Sequence, residues 1–99
     1  MNKINFIEKL VTETDNIKDG INARKKLNKK LADDLRELRK QRRCLLRYNC
    51  STRFIDKIAR ELREELAFST QIVKNLKAAV KDKSELLFEL KDKPDESEV

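Results

Sequence analysis

Apolar residues along the chain recur at alternating steps of three and four, the period of a helix and not the period of two that a half-buried strand requires. In the first half the series runs Leu10, Thr14, Ile17, Ile21, Arg24, Asn28, Leu31, Leu35, Leu38, Arg42, Leu45. In the second it runs Ile55, Ala59, Leu62, Leu66, Ser69, Val73, Leu76, Val80, Lys83, Leu87, Leu90. Both are heptad seams with polar interruptions. Arg24, Asn28 and Arg42 weaken the first, although a buried Asn or a long cationic stem at such a position fixes register at a cost in stability. The second seam is the better core. A further apolar row lies beside each seam: Phe6, Leu27 and Leu46 in the first half, Ile58, Ile72, Ala79 and Leu86 in the second. That widens the stripe beyond a two-helix seam, toward a bundle. Phe54, Phe68 and Phe88 fall on neighbouring faces and would be exposed in an isolated hairpin.

The two seams meet at Arg47-Tyr-Asn-Cys-Ser-Thr52, where Asn, Ser and Thr are poor in helix interiors and good at helix ends. A turn is expected there, with Asn49 closing the first helix in the left-handed conformation, Ser51 or Thr52 capping the second and Asp56 near its positive end. One uninterrupted helix is the alternative, because no Gly or Pro enforces the break. Asp19-Gly20 is a second candidate break, since Gly costs about 1 kcal/mol relative to Ala inside a helix. Asn5-Phe-Ile-Glu8 resembles a capping box, and Pro94 ends the second helix no later than about Lys91. The expected fold is therefore all-α: a long antiparallel, coiled-coil-like helical hairpin, with helices at about 5–48 and 52–91. Residues 1–91 form one domain, and residues 92–99 an acidic, disordered tail. Each arm is about 40 residues, or roughly 60 Å.

Composition reinforces this picture. One Gly, one Pro and 42% charged residues with only 5% aromatic leave little turn punctuation and no thick core. The chain is 99 residues long, and two rods burying one stripe each would struggle against an ordering entropy of roughly 1 to 2 kcal/mol per residue, so association with itself or with other helical chains is expected. The seam residues Ile55, Leu62, Leu66, Val73, Leu76, Val80, Leu87 and Leu90 are the candidate partner-binding face, with Ile58, Phe68 and Ile72 as contacts to further helices.

Charge is concentrated in one segment. The net charge of +6 is divided into −1 over residues 1–23, +8 over 24–47, +3 over 48–81 and −4 over 82–99. Residues 24–47 hold eleven lysines and arginines against three acids. With Leu31, Leu35 and Leu38 facing the core, Lys26, Lys29, Arg36, Lys40, Arg43 and Arg47 form an outward row, broken by Asp33, that spans roughly 30 Å. Such a row suits nucleic acid or another acidic surface. Equally, the outside of any coiled coil is charged. The layout of a basic leucine zipper does not fit: Asp33 and Asp34 would face phosphates, and Arg53 and Arg60 stand where leucines belong.

Chemistry finds little support. With no His and a single Gly, the commonest general base and every glycine-rich phosphate loop are absent, so an enzyme is the least favoured class and no cofactor is expected. Cys44 and Cys50 are separated by five residues, wider than the usual metal-binding pair, so no metal is expected either; they read as two semi-buried residues beside a helix joint. No apolar run reaches the roughly 20 residues of a membrane span, and the N-terminal stretch lacks the features of a signal peptide or mitochondrial presequence. Two cysteines fit a reducing compartment, so the expectation is a cytoplasmic or nuclear protein. Ser97-Glu98-Val99 has the form of a ligand for a domain that captures a terminal carboxylate.

Overall fold

The computed structural model describes residues 2–92. The chain folds as an antiparallel helical hairpin: α1 spans Lys3–Arg47 and α2 spans Arg53–Asp92, joined by a five-residue turn. The acidic tail and the Ser97-Glu98-Val99 terminus lie outside the described residues, apart from Asp92, which is helical.

The start of α1 differs from the expected capping box. Asn2, not Asn5, is the cap: its Oδ1 accepts the backbone N–H of Asn5 at 2.8 Å, and its carbonyl accepts that of Phe6 at 3.1 Å. An Asn side chain satisfies the orphan N–H groups of a first turn wherever it precedes the helix, so Asn2 gains an extra turn and places Asn5 inside it. Nor does α1 break at Gly20, which has no positive φ and sits in uninterrupted helix. Stopping there would strand up to four carbonyls and four N–H groups around one Gly. Ile21, buried in the seam, carries the packing across instead.

The turn is where the local chemistry is most explicit. Asn49 has φ of 56°, the left-handed region that Asn tolerates better than most residues. The N–H of Cys50 donates to the Leu45 carbonyl at 2.8 Å and that of Asn49 to the Leu46 carbonyl at 3.1 Å, the paired bonds of a Schellman motif. On the other side, the Thr52 carbonyl accepts the Asp56 N–H at 2.8 Å and Ser51 Oγ accepts the Arg53 N–H at 3.3 Å. The two helices are thus ended and begun within five residues without any Gly or Pro.

The structure divides into two compact units. One, residues 23–72, contains the turn and the adjoining parts of both helices; the other combines residues up to Asn22 with those from Val73 onward. In the turn-bearing unit Leu31, Leu35 and Ser69 are buried, and Leu38, Leu45, Ile55, Ala59, Leu62 and Leu66 are half-buried. In the terminal unit Leu10, Thr14, Ile21 and Val73 are buried, with Ile17, Leu76, Val80, Leu87 and Leu90 half-buried. The seam is therefore covered by the chain's own residues, leaving a core that is narrow. Its polar members are handled in different ways. Thr14 returns its hydroxyl to the Leu10 carbonyl at 2.7 Å, and the half-buried Lys83 extends its stem so that Nζ meets Glu13 Oε2 at 3.0 Å. Asn28 Oδ1 and Ser69 Oγ are buried without a hydrogen-bond partner among the described residues.

Candidate interaction surfaces

Each seam residue of α2 assigned to partner binding is buried or half-buried in the single chain: Ile55, Leu62, Leu66, Val73, Leu76, Val80, Leu87 and Leu90. What remains open lies beside the seam. Stepping through α2 by sevens, Ile58 and Ile72 occupy one column flanking the seam, and both are half-buried. Phe54 and Phe68 occupy the next column out, and they are 73% and 68% exposed. Within the turn-bearing unit these four residues form a second apolar face on one side of α2, interrupted by Glu61 and Glu65. Phe88 is also exposed, on another side of the helix, as its position in the heptad requires.

The six cations of the outward row, Lys26, Lys29, Arg36, Lys40, Arg43 and Arg47, are all exposed. Among the described residues the row's one ion pair is Arg36 with Asp33 on the next turn of the same helix.

Sequence reasoning missed a second group of cations. Arg42, expected to lie in the seam, is exposed and points to α2, where its Nε is 2.9 Å from Asp56 Oδ1. A long flexible stem lets a guanidinium leave a seam position for water and a carboxylate at little cost. Around that pair, Arg39 from α1 and Arg60 and Arg63 from α2 line the same groove, whose volume is about 300 Å³. Thr52 Oγ1 donates to the other carboxylate oxygen of Asp56 at 2.9 Å. The Thr52 hydrogen bond first, and Arg42 second, hold the Asp56 carboxyl below its ordinary value of 3.8. The clustering was invisible in the linear charge count because it depends on antiparallel register, which brings together residues far apart in sequence, such as Arg42 and Asp56, 14 positions apart.

Cys44 and Cys50 are free and exposed, not semi-buried: Cys44 lies on the solvent side of α1, one residue before the half-buried Leu45, and Cys50 lies in the turn. Among the described residues no group of three or more His, Cys, Asp or Glu side chains could hold a metal ion. None of the described helices is long and apolar enough to cross a membrane. No family model matches the chain, no curated protein matches its sequence, and no solved structure matches its fold.

Proposed function

We propose that this protein is a non-enzymatic interaction protein: a small helical subunit of a larger coiled-coil or helical-bundle assembly such as a scaffold, tether or cytoskeletal complex. The observation that carries the reading is the second apolar face of α2. Its rings are repeated two heptads apart, at Phe54 and Phe68, and they adjoin the half-buried Ile58 and Ile72, so a further helix could lie along them with the same heptad spacing. The seam residues hold the hairpin together, and Ile58, Phe68 and Ile72, with Phe54 added, meet the partner. The exposed thiols of Cys44 and Cys50 suit the reducing cytoplasm or nucleus.

The test replaces Phe54 and Phe68 together with Ser, which leaves the seam intact. Sedimentation should show the wild-type chain, alone or with its partner, in a higher-order species that the double variant loses while keeping its helical circular dichroism. An unchanged assembly state in the helical variant sinks the reading. Leu66→Asp with Leu76→Asp serves as the contrast: both side chains are half-buried in the hairpin, so this pair should reduce helicity as well.

A second reading, a basic module that binds nucleic acid or another acidic surface, is favoured by the exposure of the whole outward row of α1. Reversing Lys29, Arg36, Lys40 and Arg43 to Glu should then abolish retention on heparin and remove its steep salt dependence. Equal retention after the reversal excludes it.

A further inference from the structure

The arginine groove of the turn-bearing unit differs from the outward row in two respects. It takes cations from both helices, Arg39 and Arg42 from α1 and Arg60 and Arg63 from α2, and it is concave, with Leu38, Ile55 and Ala59 contributing to its lining. Charges that only kept a helix soluble would do so best pointing apart, since like charges brought together repel. Here four arginines and a single carboxylate line about 300 Å³. That carboxylate is engaged: Asp56 holds Arg42 at 2.9 Å and is itself anchored by the Thr52 hydroxyl at 2.9 Å. Arg39, Arg60 and Arg63 have no salt bridge among the described residues, so the residues lining this one small concavity carry an excess of about three positive charges.

We propose that this groove binds a pair of adjoining phosphates, carried either by a soluble molecule or by a lipid headgroup. The planar fork of Arg matches phosphate oxygens two at a time, and several forks from different directions suit a compact, highly charged group. Charge balance narrows the class. A single phosphate monoester carries about −1.5 to −2 at neutral pH and would leave a guanidinium uncompensated, whereas two adjoining phosphates carry roughly −3. A peptide would have to bring three carboxylates into the same small space. In this arrangement Arg39, Arg60 and Arg63 are the ligand-contacting residues. Arg42, tethered by Asp56, is the positioning residue that fixes the rim of the groove. The site exists only when the helices pack antiparallel, so it reports on the folded hairpin in a way the α1 row does not.

The experiment uses the full chain. Calorimetric titration with inorganic pyrophosphate, at constant ionic strength, is expected to show one site per chain and an affinity at least tenfold above that for inorganic phosphate. Arg60→Gln with Arg63→Gln should lower the pyrophosphate affinity by about tenfold per arginine removed, the scale of one charge-assisted hydrogen bond. Lys26→Gln with Lys29→Gln, on the outward row, should change it by less than twofold. Should the Gln pair lose helicity, Arg60→Lys with Arg63→Lys keeps the charge but removes the fork, and is expected to bind several-fold more weakly. A flotation arm compares phosphatidylcholine vesicles with and without phosphatidylinositol 4,5-bisphosphate. Binding to free pyrophosphate without flotation assigns the soluble source; bisphosphate-dependent flotation that the Gln pair abolishes assigns the headgroup. The proposal is overturned if neither probe binds. It is equally overturned if the helical Arg60→Gln with Arg63→Gln variant, or the Arg60→Lys with Arg63→Lys variant, binds as the wild type does.

Discussion

Asp56 shows how much one side chain can hold at a helix joint. It stands in the first turn of α2, accepts the Thr52 hydroxyl and meets Arg42 of α1, so it ties the start of one helix to the side of the other. Its folded pKa lies below the ordinary 3.8 because the ionised form receives both hydrogen bonds. A depressed carboxyl pKa contributes stability that is fully present above the unfolded value and is lost as pH falls through the folded one. Thermal midpoints should therefore be flat from neutral pH down to about 5 as far as Asp56 is concerned, and then fall toward pH 3. Asp56→Asn should lower the midpoint at pH 7 and shrink that acid-side fall. Equal slopes in wild type and variant below pH 4 would remove Asp56 from the account. Asn28 and Ser69 illustrate the opposite case. Their buried oxygens have no hydrogen-bond partner among the described residues, which costs stability at a seam whose neighbours are Leu31 and Leu66.

Among the elements, α1 tests how far one unfavourable residue can influence a helix of 45 residues. Gly20 lies in uninterrupted helix, and a Cβ built on it meets nothing within 4 Å. The loss of about 1 kcal/mol in propensity is therefore not compensated by close packing at that Cα. Gly20→Ala should stabilise the protein by about 0.5 to 1 kcal/mol, raising the thermal midpoint by roughly 2 to 8 °C. A midpoint that is unchanged or lower would refute the claim that Gly20 costs the helix its propensity difference from Ala. The turn works on different terms. Asn49 adopts the left-handed conformation and the Schellman bonds satisfy carbonyls at the end of α1, so side-chain chemistry does what Gly or Pro does elsewhere. The capping residues at Asn49, Ser51 and Thr52 made this break legible in advance. The start of α1 was less so, because Asn2 and Asn5 are both competent caps and only the helix's actual first turn decides between them.

For the molecule as a whole, the narrow core is the controlling fact. Among the described residues the buried apolar side chains are Leu10, Ile21, Leu31, Leu35 and Val73, while Phe54, Phe68 and Phe88 remain exposed. A chain that leaves its largest apolar side chains outside gains stability when a partner covers them, and mass action then makes its thermal midpoint rise with protein concentration. This is the thermodynamic counterpart of the sedimentation test, and the Phe54→Ser with Phe68→Ser variant should lose the dependence.

The all-helical class and the seam, Arg42 apart, were legible in the sequence, which also favoured a turn at 47–52 over one uninterrupted helix. These follow from local signals: a three-and-four period and a near absence of Gly and Pro for the helices, capping residues for the turn. The sequence also placed the outward row of cations, because neighbours on one helix face are fixed by the helical period alone. Only the packing of one helix against the other decided that Arg42 leaves the seam for Asp56, that Arg39, Arg60 and Arg63 gather beside that pair, and that the α2 seam is covered within the hairpin. These depend on antiparallel register, a relation between residues on different helices of the turn-bearing unit, and no periodicity along one helix encodes it.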